Sequence, residues 1–170
     1  VYYNIGNAYM ENSEVDYAIN SYKKAIEIRP DFAEAHYNIG SAFMDKGVLD
    51  ASIESYKRAI TIKPDYAEAH YNMGNALKDR GFLNEAIASY NLVLKIQPDH
   101  TEAYNNMGFA LQDQGDLDAA IESYNLALKI QPDYAMAHNN MGNALTLRGS
   151  MDIAIASYNR ALKIKPDFAE

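Results

Sequence analysis

Five asparagines, Asn4, Asn38, Asn72, Asn106 and Asn140, stand one every 34 residues along this chain. A side-chain amide carries both a donor and an acceptor. A row of them could therefore match the N–H and C=O groups of an extended peptide, with little regard to its side chains. Asparagine is a poor choice for a helix interior, because its amide competes with backbone bonding, so five in register need a reason. Either they meet a ligand main chain or they bridge neighbouring helices, and the two roles are compatible. Two other columns invite chemistry. His36, His70 and His138 share one column and suggest a metal site. Packed helix axes lie about 8–10 Å apart, whereas metal ligands must converge within roughly 2 Å of one ion, so a core role is expected and no metal is assigned. His100 falls alone in a turn. Ser21, Ser55, Ser89, Ser123 and Ser157 recur without a periodic histidine beside them and read as packing or surface residues, not nucleophiles. No GxxxxGK, GxGxxG or HExxH pattern occurs, and the absence of cysteine removes disulfides and thiolate chemistry. These residues point to binding, with no catalytic residue and no cofactor.

The elements that position them follow from the period. Pro30, Pro64, Pro98, Pro132 and Pro166 are 34 residues apart, and each precedes an aspartate. They divide the chain into a partial unit 1–29, units 30–63, 64–97, 98–131 and 132–165, and the start of another at 166–170. Each unit reads as two helices. In residues 30–63, Asp31 is the expected N-cap, with Glu34 as its capping-box partner. His36, Ile39, Gly40 and Phe43 make an apolar side at helical spacing. Gly47 ends the first helix, Asp50 is expected to cap the second, and Pro64 stops it. The second helix has Ile53, Tyr56, Ala59 and Ile60 on its apolar side. Neither helix can bury that side alone. Stacked units can, which predicts a single all-α solenoid over 1–170. The net charge of −8 argues against nucleic acid as a partner. No run of about eighteen apolar residues suggests membrane insertion. The opening VYYNIGNAYM has no leader character, which sets a cytoplasmic location as the expectation.

The 34-residue period, the two-helix unit and the Gly, Ala, Tyr, Ala and Pro columns resemble the tetratricopeptide-repeat (TPR) family over essentially the whole chain. Tyr2, His36, His70, Tyr104 and His138 replace the family's usual early tryptophan, and Ser13 stands where the other units have glycine. The resemblance implies a right-handed superhelix whose first helices line a concave groove, binding of peptide segments there, and no catalysis by the repeats. On that basis the asparagine column lies in the groove. Tyr3, Tyr37 and Tyr71 sit beside it, Asn7, Ser41, Asn75, Phe109 and Asn143 one turn on, and Met10 and Met44 at the N-terminal end. Asp45, Asp79 and Asp113 form an acidic row with Glu11, broken at Leu147, which suits a basic peptide. Members that clamp acidic chaperone tails use lysine and arginine on first helices. Tyr3, Tyr37, Asn38 and Asn72 hold those positions here, so such tails are not expected ligands. The arm of the O-linked N-acetylglucosamine transferases is similar in carrying an asparagine ladder.

Three functions are compatible with these features: a protein–protein interaction scaffold, the substrate-recruiting arm of a larger protein glycosyltransferase, and a structural repeat that self-assembles end to end. The last rests on the lack of a polar capping helix at either end. Ile155, Tyr158 and Leu162 would have no following neighbour.

Overall fold

The computed structural model describes residues 1–166. They form ten helices, with no strand among the described residues: α1 (Tyr2–Glu11), α2 (Val15–Ile28), α3 (Ala33–Asp45), α4 (Leu49–Ile62), α5 (Ala67–Asp79), α6 (Leu83–Ile96), α7 (Thr101–Asp113), α8 (Leu117–Ile130), α9 (Ala135–Leu147) and α10 (Met151–Ile164). Two compact units divide them, Val1–Phe82 with α1–α5 and Leu83–Glu170 with α6–α10. Within the units, α1–α2, α3–α4, α7–α8 and α9–α10 pair as the two helices of one repeat, and α2, α4, α6 and α8 each pack on the first helix that follows.

The closest packing inside each pair is tyrosine on glycine. Tyr22, Tyr56 and Tyr124 are buried. Tyr56 lies so near Gly40 that an added Cβ would meet the ring at 2.7 Å, and Gly108 stands in the same relation to Tyr124. Burial pushes the phenol pKa of both tyrosines up, at Tyr56 against the hydrogen bond with Ser41. The raised folded value fixes the sign of a pH effect. Below the unfolded value of about 10 both states are neutral and this contribution is complete. As the pH rises past it toward the folded value, only the unfolded chain releases the proton, so stability falls. Alkaline titration should therefore show a class of tyrosines whose ionisation by absorbance coincides with loss of helical circular dichroism.

The turn within each pair behaves as the glycine column predicts. Gly47 has φ +71. Its N–H donates to Met44 O at 2.9 Å, and the Val48 N–H donates to Phe43 O at 2.9 Å, the paired bonds of a Schellman ending. Ser13 holds the same place with φ +60, a left-handed conformation in which a Cβ costs roughly 1–2 kcal/mol. Ser13→Gly should raise the unfolding free energy by about 1 kcal/mol, less than that strain because glycine also loses more chain entropy. Thermal or urea denaturation would register it.

The expected caps need correction. Asp31 does not cap α3. The N-cap is Phe32, without a side-chain cap bond. Its ring centroid lies 4.7 Å from that of Tyr3, and the Arg29 guanidinium lies 3.3 Å from it on the ring face. Aromatic packing thus ties the start of α3 to the previous first helix. Asp50 does not cap α4 either. Val48 is the N-cap, and Asp50 lies in the first helical turn, where its carboxylate accepts from Arg80 Nε at 2.9 Å. His100, expected to stand alone, caps α7: its Nδ1 accepts from the Ala103 N–H at 3.2 Å.

Candidate peptide-binding face

In the first unit, hydrogen bonds tie the first helices α1, α3 and α5 side by side. Asn38 Nδ2 donates to Tyr3 Oη at 3.2 Å and to Asn7 Oδ1 at 3.1 Å. Asn72 Nδ2 donates to Tyr37 Oη at 2.8 Å. The tyrosine beside the ladder in one repeat is thus the acceptor for the asparagine of the next. The column one turn on reaches the other way, to the second helix. Tyr22 Oη donates to Asn7 Oδ1 at 2.9 Å, and Ser41 Oγ is 3.2 Å from Tyr56 Oη. Asn7, Met10, Tyr22, Asn38 and Ser41 together line a pocket of about 250 Å³. Its lining combines amide and hydroxyl groups with one soft thioether. Tyr71 and Asn75 are half-buried on α5, and Asn4 is exposed on α1.

The second unit repeats this plan with different residues. Asn140 Nδ2 donates to Asn105 Oδ1 at 3.1 Å, and Asn105 Nδ2 donates to Asn106 Oδ1 at 3.1 Å. Asn105 replaces the tyrosine acceptor and is only 1% exposed, so it supports the face without presenting itself on it. Phe109 removes the polar group that meets the second-helix tyrosine elsewhere, and Tyr124 Oη turns to Gln112 Oε1 at 3.3 Å. Phe109 itself is 38% exposed. Asn143 keeps the usual role, accepting from Tyr158 Oη at 2.8 Å.

The acidic row is exposed at Asp45, Asp79 and Asp113. Asp79 is already met by Lys78 Nζ at 2.5 Å, which reduces its field. Tyr66, at the N-terminal edge of α5, has its pKa raised first by burial and then by surrounding groups that include Glu34 and Glu68.

The other two columns are structural. Nε2 of His36, His70 and His138 lies 3.2, 2.9 and 3.0 Å from the carbonyl oxygens of Pro30, Pro64 and Pro132, tying each first helix to the turn that precedes it. No group of three or more metal-ligating side chains converges among the described residues. Each of the five serines donates to the carbonyl four residues back, at 2.7–3.1 Å.

One set of contacts escaped the sequence reading. Lys46 pairs with Asp16 at 2.5 Å, Arg80 with Asp50 at 2.9 Å and Arg148 with Asp118 at 2.9 Å. Each joins the end of a first helix to the start of the previous second helix. In the third such place, Gln114 Nε2 donates to Asn84 Oδ1 at 2.7 Å. The paired change from Asp and Arg to Asn and Gln, 30 residues apart, was the available signal.

Family models described as "TPR repeat" match residues 6–47, 40–81 and 74–115, and one described as "Tetratricopeptide repeat" matches 99–167. No curated protein sequence matches the chain. Among solved structures, MamA is 28% identical with a TM-score of 0.92, over 97% of this chain and 96% of that one. YrrB, described as a TPR protein with an unusual peptide-binding site, is 23% identical with a TM-score of 0.85, over 98% and 86%. Pseudomonas aeruginosa PilF is 20% identical with a TM-score of 0.83, over 95% and 74%. The ten helices and these likenesses establish an all-α solenoid of two-helix repeats.

Proposed function

This chain belongs to the tetratricopeptide-repeat family, and we propose that it is a protein-interaction scaffold whose first-helix face binds an extended peptide or partner segment. The observation that carries this reading is the pocket formed by Asn7, Met10, Tyr22, Asn38 and Ser41. Amide and hydroxyl groups in its lining offer donors and acceptors to a peptide main chain, and Met10 offers an adaptable apolar contact to a side chain. The bridges of Asn38 and Asn72 run through Nδ2, and each amide also carries an Oδ1 acceptor for a peptide N–H. YrrB supplies a precedent for a peptide site on this fold. Proteins of this repeat type are generally non-catalytic scaffolds, and the repeats here are read the same way. Asp45 and Glu68 are exposed and, with the net charge of −8, favour a basic ligand. The second unit offers Asn106, Asn140 and Asn143 with the apolar Phe109, a face suited to a segment with an apolar side chain.

Titration of peptide libraries with chemical-shift mapping tests the reading. Binding should perturb Met10, Asn38 and Ser41, keep the peptide extended and weaken as salt rises. A ligand that maps to the second helices, or binds only as a helix, would overturn it. Salt-independent affinity would remove the preference for basic sequences.

A further inference from the structure

On the side away from the first-helix face, α6 and α8 flank an open groove of about 460 Å³. Ile87, Asn91 and Leu94 of α6 and Glu122 and Leu126 of α8 form its walls, and Met107 of α7 lies in its floor. The first unit has the equivalent groove between α2 and α4, of about 420 Å³. There, Lys23 and Arg58 hold the positions of Asn91 and Leu126. Arg58 Nε donates to Glu54 Oε1 at 3.1 Å, one turn away along the rim. Arg160 again occupies this position on α10. The helix packing therefore accepts arginine at the place where α8 carries leucine. Leu126 is nonetheless 37% exposed, and Leu92, at the same position on α6, is 41% exposed. Two successive second helices thus lose the cation from their outer face and gain an apolar side chain that no intrachain contact requires.

We propose that this groove is the docking surface for a second copy of the chain, related by a two-fold axis that crosses α6 and α8. The charge layout selects a copy of itself as the partner. Lys95 and Lys129 stand near the C-terminal ends of the two helices, and Glu85 and Glu122 stand nearer their N-terminal ends, all exposed. A two-fold axis brings residue i of one copy onto residue j of the other and the reverse. The lysine end of each copy then meets the glutamate end of its partner. Residues near the axis meet their own equivalents. Lys23 and Arg58 in that place would repel themselves. Asn91 can pair amide to amide, and Leu126 packs leucine on leucine. The second unit is compatible with self-pairing and the first is not.

Sedimentation velocity over a concentration series reads this directly. The wild-type chain should pass from monomer to dimer as concentration rises, and Leu126→Arg should weaken that association by at least about tenfold. The change installs a residue that Arg58 and Arg160 show to be tolerated, so helicity and melting should stay unchanged. Lys95→Glu should weaken the dimer, and Lys95→Glu combined with Glu122→Lys should restore it, a rescue that a merely structural role would not produce. A chain that stays monomeric throughout would overturn the proposal, with a helix of a different protein then the occupant to seek. So would a dimer unaffected by Leu126→Arg, or one abolished only by Ile155→Lys on α10.

Discussion

Gly40→Ala is expected to destabilise the first unit by about 2 kcal/mol, the opposite of what helix propensity alone gives. In a solvent-facing helix interior, glycine to alanine gains about 1 kcal/mol. At Gly40 the added methyl would meet Cδ1 and Cε1 of Tyr56 at 2.7 Å, and Tyr56 is fully buried, so the ring has no free space to move into. Overpacking of this kind costs about 1–3 kcal/mol. Contact follows nearest neighbours in a repeat stack, so hydrogen exchange should accelerate most in α3 and α4. Gly40→Ala in a Tyr56→Ala background should recover the propensity gain, because the clash is gone. The difference between the two backgrounds is the coupling of the pair. A Gly40→Ala variant as stable as the wild type would show that α3 and α4 can separate without loss, against the tyrosine-on-glycine account of the core.

The helices and their pairing were legible in the sequence because each rests on a local signal repeated at a fixed interval: proline before aspartate, glycine at the turn, small residues facing Tyr56. The helix starts were not. Asp31 and Asp50 have the composition of N-caps, but a cap is decided by which group the chain can place at the turn. Phe32 packs there on the Tyr3 ring, and Asp50 lies in the first turn of α4, where it meets Arg80, thirty residues away. The candidate site shows the same division. Its columns were visible from types and spacing. That Asn38 turns its N–H groups to Tyr3 and Asn7 is a tertiary fact, since it depends on α1 and α3 lying side by side. The burial of Asn105, which stands in the column of Tyr3, Tyr37 and Tyr71, is tertiary too. Its amide is buried between Asn106 and Asn140, whereas Asn139, the same residue type one repeat on, is only half-buried.

Replacing Asn38 and Asn72 together by alanine is expected to lower affinity for an extended peptide by about 100-fold, which is about 2.7 kcal/mol. It should also reduce stability. The first effect follows if, as proposed, the two amides meet a peptide main chain, the second from the bonds to Tyr3, Asn7 and Tyr37, each worth about 1 kcal/mol net. The two effects can be separated at one position. Tyr37→Phe removes the acceptor for Asn72 Nδ2 at 2.8 Å but leaves the asparagine amide and the aromatic ring in place. It should cost about 1 kcal/mol of stability and leave peptide affinity within about threefold of the wild type. Asn72→Ala should cost a similar stability and lose about tenfold in affinity. Both are to be measured at a temperature where every variant is fully folded, by calorimetric titration beside a denaturant curve. Equal losses of affinity in Tyr37→Phe and Asn72→Ala would mean that the amide acts only by bridging α3 and α5. Normal binding by the Asn38 and Asn72 double variant would mean that the column holds the helices together and takes no part in recognition.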